Sequence, residues 1–156
     1  DRFCGGSGND VINARFGNDM VYGGDGFDTV SASNGDDTVD GGNGRDLIFL
    51  GAGDDRYVDT AQTGNLGQDT ISGGLGADTF VFNAVMSADV ITDFVTGTDT
   101  LEIATALAGG RTNDVFVQDF ASVVGGDVVF AFAAGQAITL QGLNSTVDLA
   151  DDLIFV

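Results

Sequence analysis

Large apolar residues recur at every ninth position through the first half of the chain: Ile12, Val21, Val30, Val39, Ile48 and Tyr57. Ile71 and Phe80 resume the period after an interruption. Two residues before each stands an aspartate, and two before that a glycine. The chain therefore divides into units: GGSGNDVIN (5–13), ARFGNDMVY (14–22), GGDGFDTVS (23–31), ASNGDDTVD (32–40), GGNGRDLIF (41–49) and LGAGDDRYV (50–58). Residues 59–63 are an insertion, after which GNLGQDTIS (64–72) and GGLGADTFV (73–81) follow. Position four is Gly throughout (Gly8, Gly17, Gly26, Gly35, Gly44, Gly53, Gly67, Gly76), and position six is Asp throughout. This pattern predicts six residues of turn and three of strand per unit. In a strand successive side chains face opposite ways, so position eight points inward and positions seven and nine outward. Two units make one 18-residue coil, and stacked coils make two parallel sheets with position eight between them.

Stacking sets turn n above turn n+2 at the ~4.8 Å strand spacing. Each edge of the stack then carries a column of aspartates: Asp10, Asp28, Asp46 and Asp69 on one, Asp19, Asp37, Asp55 and Asp78 on the other. Neighbouring charges at that spacing repel by about 0.9 kcal/mol in water. A hard divalent cation between successive turns removes the cost. Ca²⁺ takes six to eight oxygens and accepts backbone carbonyls, whereas Mg²⁺ prefers an octahedron that keeps its waters. Zn²⁺ and Cu²⁺ favour nitrogen and sulfur donors. Six gaps between turns predict six ions, or four if the insertion breaks the stack. The glycine pairs that open units one, three and five favour their edge over the other, where units begin Ala14-Arg15, Ala32-Ser33 and Leu50-Gly51.

Composition narrows the chemistry further. The 156 residues carry 24 acids against 5 bases, a formal charge of −19, with no His and no Pro. Without His, no Ser-His-Asp triad, HExxH site or imidazole base can be assembled. The charge argues against nucleic-acid phosphates and anionic membranes. No apolar run approaches the ~18 residues a membrane helix needs. The single Cys4 excludes an internal disulfide framework and reads as an incidental thiol. Hydrophobic residues make up 43% of the chain, too many for a disordered acidic segment or a Gly-rich linker. No Lys follows the glycines as a nucleotide loop requires, and no window has EF-hand spacing. Arg15 and Arg45 read as surface charge trimming. The opening DRFCGG carries neither an initiator Met nor a signal segment, so a fragment or mature C-terminal piece of a longer protein is expected.

The units resemble the GGxGxDxUx nonapeptide (U apolar) of the RTX, or haemolysin-type, calcium-binding repeats. The resemblance implies a β-roll in which position six supplies the carboxylate and positions one to four supply carbonyls. The carboxylates are then Asp10, Asp19, Asp28, Asp37, Asp46, Asp55, Asp69 and Asp78. The carbonyls come from Gly5, Gly6, Ser7, Gly8, Gly23, Gly24, Asp25, Gly26, Gly41, Gly42, Asn43, Gly44, Gly73, Gly74 and Gly76. About four to six Ca²⁺ are expected.

From residue 83 the period is lost, and 18 of the 25 Gly lie before it. Residues 1–82 are read as a calcium-binding β-roll and 83–156 as a β cap, antiparallel in character, that covers the last coil. ADVITDFVTGTDTLEI (88–103), with a turn at Gly97, VFVQDFASVV (115–124), VVFAFA (128–133) and AITLQGL (137–143) carry strand and hairpin signals. Turns are expected at 125–127 and 134–136, and one helical turn in 104–110. DFVTGTD (93–99) is similar to the segment after the last repeat in RTX proteases and lipases. There an acid can complete a calcium site, so Asp93 and Asp99 are read either that way or as surface acids. ADDLIFV (150–156) looks like the C-terminal signal of type I secretion in Gram-negative bacteria.

These readings give an all-β fold and a non-enzymatic, secreted module that folds on Ca²⁺ outside the cell. Its expected partners are calcium, the type I secretion machinery and an upstream domain of the same protein, which can itself be catalytic. Two alternatives stay open: an accessory module of a polysaccharide enzyme, like the R-modules of alginate epimerases, and an adhesin or S-layer module.

Overall fold

The computed structural model describes residues 1–60, 67–83, 87–132 and 135–156. Eleven strands succeed one another first: β1 (Arg2–Ser7), β2 (Val11–Asn13), β3 (Met20–Asp25), β4 (Thr29–Asn34), β5 (Thr38–Asn43), β6 (Leu47–Ala52), β7 (Arg56–Asp59), β8 (Thr70–Leu75), β9 (Thr79–Phe82), β10 (Ala88–Ile91) and β11 (Thr100–Ile103). Then come α1 (Thr105–Ala108), α2 (Asn113–Phe120), β12 (Ala121–Val124), β13 (Asp127–Ala131), β14 (Ala137–Leu140), a 3-10 turn (Leu149–Asp152) and β15 (Leu153–Phe155).

The strands alternate between two sheets. One sheet has the order β1-β3-β5-β7-β9-β11-β15 and is parallel throughout. The other runs β2-β4-β6-β8-β10-β14-β13-β12; it is parallel as far as β14 and antiparallel across β14-β13-β12. The product is a parallel β-solenoid of about five turns with a mixed C-terminal region.

The register is the nonapeptide period made physical. Val21 pairs with Val39, and Val30 with Ile48. The position-eight residues from Val21 to Phe80 are fully buried between the sheets, while Val11, Met20 and Leu47 at position seven are exposed. Strands from β3 onward commonly run six residues rather than the three expected. The alternation does not stop at position nine. Position one faces inward as well, and there Ala14, Ala32 and Leu50 are buried beside their position-eight neighbours. Position four closes the bend at positive φ, 146° at Gly26, and a Cβ there would overlap the Gly8 carbonyl oxygen.

Beyond residue 83 the outcome is divided. The helical turn in 104–110 is α1, and the antiparallel meander is β12-β13-β14 with its turn at Gly125-Gly126. The turn at 134–136 and the end of the 128–133 strand fall partly outside the described residues, as does most of the insertion and the start of unit seven. Residues 88–103 do not form a hairpin: β10 and β11 lie in different sheets, and Gly97 turns the corner between them. The expected strand over 115–124 is helix as far as Phe120. Its V-F-V run mimics strand alternation, but Phe116 and Phe120 stand four apart and share a helix face. Phe116 packs on Phe120, Phe130 and Phe155 at ring-centroid distances of 4.8, 5.8 and 5.1 Å. This aromatic cluster joins α2 to β13 and β15 at the C-terminal end of the stack.

Candidate metal centre

Each strand-to-strand corner places one aspartate at an edge of the solenoid, and the corners alternate between two edges. On one edge the backbone N–H of Asp10 donates to Asp28 Oδ1 at 2.8 Å, that of Asp28 to Asp46 Oδ1 at 2.8 Å, and that of Asp46 to Asp69 Oδ1 at 2.8 Å. On the other edge Asp19 donates to Asp37 at 2.7 Å, Asp37 to Asp55 at 2.8 Å, and Asp55 to Asp78 at 3.0 Å. Two of these bonds span the insertion with register intact, so the insertion does not break either column. All eight repeat aspartates thus stand where the period puts them. Seven are buried, and Asp10, in the first corner, is half-buried.

From Asp28 and Asp37 onward the ladder engages Oδ1 of each repeat carboxylate. Oδ2 of Asp10, Asp19, Asp28, Asp37, Asp46 and Asp55 is buried with no hydrogen-bond donor. A buried carboxylate oxygen without a partner is costly unless a cation meets it. The space in front of it is shaped. A Cβ on Gly23 would lie 2.6 Å from Asp28 Oδ2 and would overlap the Gly41 carbonyl oxygen. A Cβ on Gly5 would lie 2.7 Å from Asp10 Oδ2 and overlap the Gly23 carbonyl oxygen. Carboxylate and carbonyl from successive turns therefore converge beside a glycine, and a side chain there would fill the space. On the other edge Ala14, Ala32 and Leu50 put a Cβ at the equivalent position. The Asp25 and Asn43 carbonyls already accept the Gly8 and Gly26 amides, each at 2.7 Å, leaving each oxygen its second lone pair.

The electrostatics are those of uncompensated charge. Burial, opposed by the amide bond and reinforced by neighbouring aspartates, pushes Asp46, Asp55 and Asp78 up to about 6. Asp69 rises to about 7 and Asp37 also rises, again chiefly through burial. The arginine ion pairs lie off the columns: Arg56 meets Glu102 at 2.6 Å and Arg111 meets Asp119 at 2.6 Å. Arg15 and Arg45 are exposed, as is the Cys4 thiol. Among the described residues no three side-chain ligands cluster in one place, so most donors at a corner would be backbone carbonyls. An all-oxygen set of this kind fits a hard divalent cation and suits calcium better than magnesium or zinc.

Sequence periodicity missed the ends of both columns. Asp69 N–H donates to Asp89 Oδ1 at 2.9 Å and Asp78 N–H to Asp99 Oδ1 at 3.0 Å, and both acceptors are buried. Gly97 N–H donates to Asp152 Oδ1 at 2.9 Å. Asp99 is thus a column member and not a surface acid. Asp93 is bonded to the chain too, accepting from the Gly73 and Gly74 amides at 2.8 and 3.0 Å and from the Ser72 hydroxyl at 2.7 Å. An Asp-x-apolar triplet persists at Asp89-Val90-Ile91 and Asp99-Thr100-Leu101, and it was the available signal once the glycines are ignored. At the other end Asp1 is in phase with the period, and its amino group meets Asp19 Oδ1 at 2.7 Å.

The family model of the RTX calcium-binding nonapeptide repeat matches residues 1–30, 22–57 and 63–84, just over half of the chain. The chain belongs to this RTX repeat family. Among solved structures, the RTX chain is similar to the AlgE6R2 subunit of the Azotobacter vinelandii mannuronan C5-epimerase, with 23% identity and TM-score 0.53 over 99% of this chain and 92% of that one. The AlgE6R3 subunit of the same enzyme gives 22% identity and TM-score 0.53 over 96% and 80%. The extracellular lipase LipA from Serratia marcescens gives 18% identity and TM-score 0.49 over 97% of this chain. The RTX chain spans only 39% of the lipase's length. Comparison with curated proteins returns no significant match. These likenesses are of fold, and family and fold together establish a calcium-binding RTX β-solenoid module.

Proposed function

We propose that the two aspartate columns hold Ca²⁺ between turn n and turn n+2, and that this binding is what folds the module. The observation that carries the reading is the row of buried Oδ2 atoms without donors, three of which, in Asp10, Asp28 and Asp46, face a glycine where a side chain would obstruct the space. Asp10, Asp19, Asp28, Asp37, Asp46, Asp55 and Asp78 supply carboxylates, with carbonyls from the first four positions of the turns, and Asp69 continues the column of Asp10, Asp28 and Asp46. Six gaps separate these carboxylates, in keeping with four to six ions. The glycine-opened edge, with free space beside Asp10, Asp28 and Asp46, binds more tightly than the edge opened by Ala14, Ala32 and Leu50. Ca²⁺ bound by the folded state alone turns binding free energy into folding free energy.

The setting that uses such a switch is the step from a calcium-poor cytosol to a calcium-rich exterior. Extracellular calcium modules work at Kd values of ~10⁻⁴–10⁻³ M. We read the chain as a secreted, non-catalytic module of a larger protein from a Gram-negative bacterium. Residues 1–82 bind calcium and 83–156 close the stack. ADDLIFV (150–156) acts twice, as the type I secretion signal while unfolded and as the 3-10 turn and β15 afterwards. The likeness to the epimerase R2 subunit over nearly its whole length favours, as a second reading for the parent protein, an extracellular polysaccharide-modifying enzyme. The test is a far-UV circular dichroism titration with Ca²⁺ from a calcium-free start, with Mg²⁺ as control. A cooperative coil-to-β transition with Ca²⁺ alone is expected. A chain fully folded without Ca²⁺ and indifferent to it would overturn the reading.

A further inference from the structure

Within the repeats one buried carboxylate has a side-chain donor on its second oxygen. Asp69 is buried, and its Oδ1 accepts the Asp46 amide like its counterparts. Its Oδ2, however, accepts the Tyr57 hydroxyl at 2.7 Å. Tyr57 occupies the inward position eight of unit six, where the other seven units carry Ile, Val or Phe, so it is the one such residue with a proton to donate. Its ring is buried and packs on Phe82 at a centroid distance of 5.9 Å, with the hydroxyl directed at the column. A buried phenol needs an acceptor, and here it takes the oxygen that stands without a donor in Asp10, Asp19, Asp28, Asp37, Asp46 and Asp55. A phenolic proton directed at this oxygen and a divalent cation directed at it repel each other and compete for one place.

We propose that Tyr57 closes the Asp69 position to calcium, its hydrogen standing where a cation stands at the other turns. The Asp69 carboxylate is then a structural member of the column and not a ligand. The inference rests on the calcium reading of the columns. The test is Ca²⁺ stoichiometry on the full chain by equilibrium dialysis, for wild type, Asp46→Asn, Asp69→Asn and Tyr57→Phe. Asp46→Asn is expected to lose at least one equivalent, Asp69→Asn to keep the wild-type count, and Tyr57→Phe to gain one. Loss of an equivalent in Asp69→Asn, or an unchanged count in Tyr57→Phe, overturns the inference. Should a variant fail to fold, ultraviolet resonance Raman of the Ca²⁺-saturated wild type decides. A hydrogen-donating signature from Tyr57, read against Tyr22, is expected, and its absence overturns the inference. A wild-type chain that binds no Ca²⁺ overturns the underlying reading instead, and this one with it.

Discussion

Acid should do part of calcium's work. In the ion-free fold Asp46, Asp55 and Asp78 titrate at about 6 and Asp69 at about 7, against 3.8 for an ordinary aspartate. Between those values the folded state binds more protons than the unfolded one, so the stability of the ion-free fold rises as pH falls. The penalty is complete above about pH 7 and gone below about 3.8. All four carboxylates are at most 3% exposed, so solvent screening takes little from it. At 1.36 kcal/mol per pH unit, going from pH 7.5 to 5 relieves about 3 kcal/mol at Asp69 and about 1 kcal/mol at each of the other three; because Asp46 acts on Asp69 and Asp78 on Asp55, the total is on the order of 5 kcal/mol. That is comparable to the whole stability of a typical domain, ~5–15 kcal/mol. The assay is far-UV circular dichroism of calcium-stripped protein from pH 7.5 to 5, at low protein concentration, with near-UV tyrosine dichroism reporting the burial of Tyr57. A gain of β-structure on acidification is expected, together with a smaller Ca²⁺ requirement at pH 6 than at 7.5. An ion-free chain with less β-structure at pH 5 than at 7.5 would refute the argument, since the buried carboxylates would then not be what opposes folding.

Gly41→Ala places a methyl 2.7 Å from Asp46 Oδ2, at a backbone conformation alanine can adopt. One Ca²⁺ equivalent should be lost, or the transition midpoint should rise about tenfold, equivalent to ~1.4 kcal/mol, in a dichroism-monitored titration. Phe116→Ala empties the middle of the aromatic cluster at the C-terminal end and should cost about 3–5 kcal/mol in chemical denaturation of the calcium-loaded protein. Arg56→Ala breaks a pair with Glu102 whose arginine is 42% exposed, and should cost less than ~1 kcal/mol by the same measurement.

The repeat half was legible because two independent periods agree in it. Strand alternation assigns Val21, Val30, Val39 and Ile48 to the interior, and the nine-residue spacing assigns Asp19, Asp28, Asp37 and Asp46 to the corners. A strand reading and a turn reading each constrain the other. The six-residue strands were not legible, because a glycine pair reads as turn wherever it stands, and what makes it strand is the identical pair above and below, such as Gly24 against Gly42. Past residue 83 coil length varies, so Asp89 and Asp99 fall 20 and 21 residues after Asp69 and Asp78 rather than 18, and a fixed period steps over them. α2 was misread because a short V-F-V run suits both periods, and only contacts with Phe130 and Phe155, distant in sequence, decide between them. The Tyr57–Asp69 bond was hidden for a simpler reason: tyrosine counts as apolar in a hydrophobic pattern, and its hydroxyl matters only once the coil brings it to the edge.

Every bond of the carboxylate ladder runs the same way, from an amide in one coil to an oxygen in the next. A stack whose units touch only their neighbours behaves as a one-dimensional chain of links. Under tension along its axis, such a stack has no single rupture event to offer. It gives way a coil at a time from an end, and each 18-residue coil drawn out extended adds about 60 Å of length. A loaded module of this construction is therefore a graded tether: it yields in increments under load and can rewind while the next coil still stands to receive it.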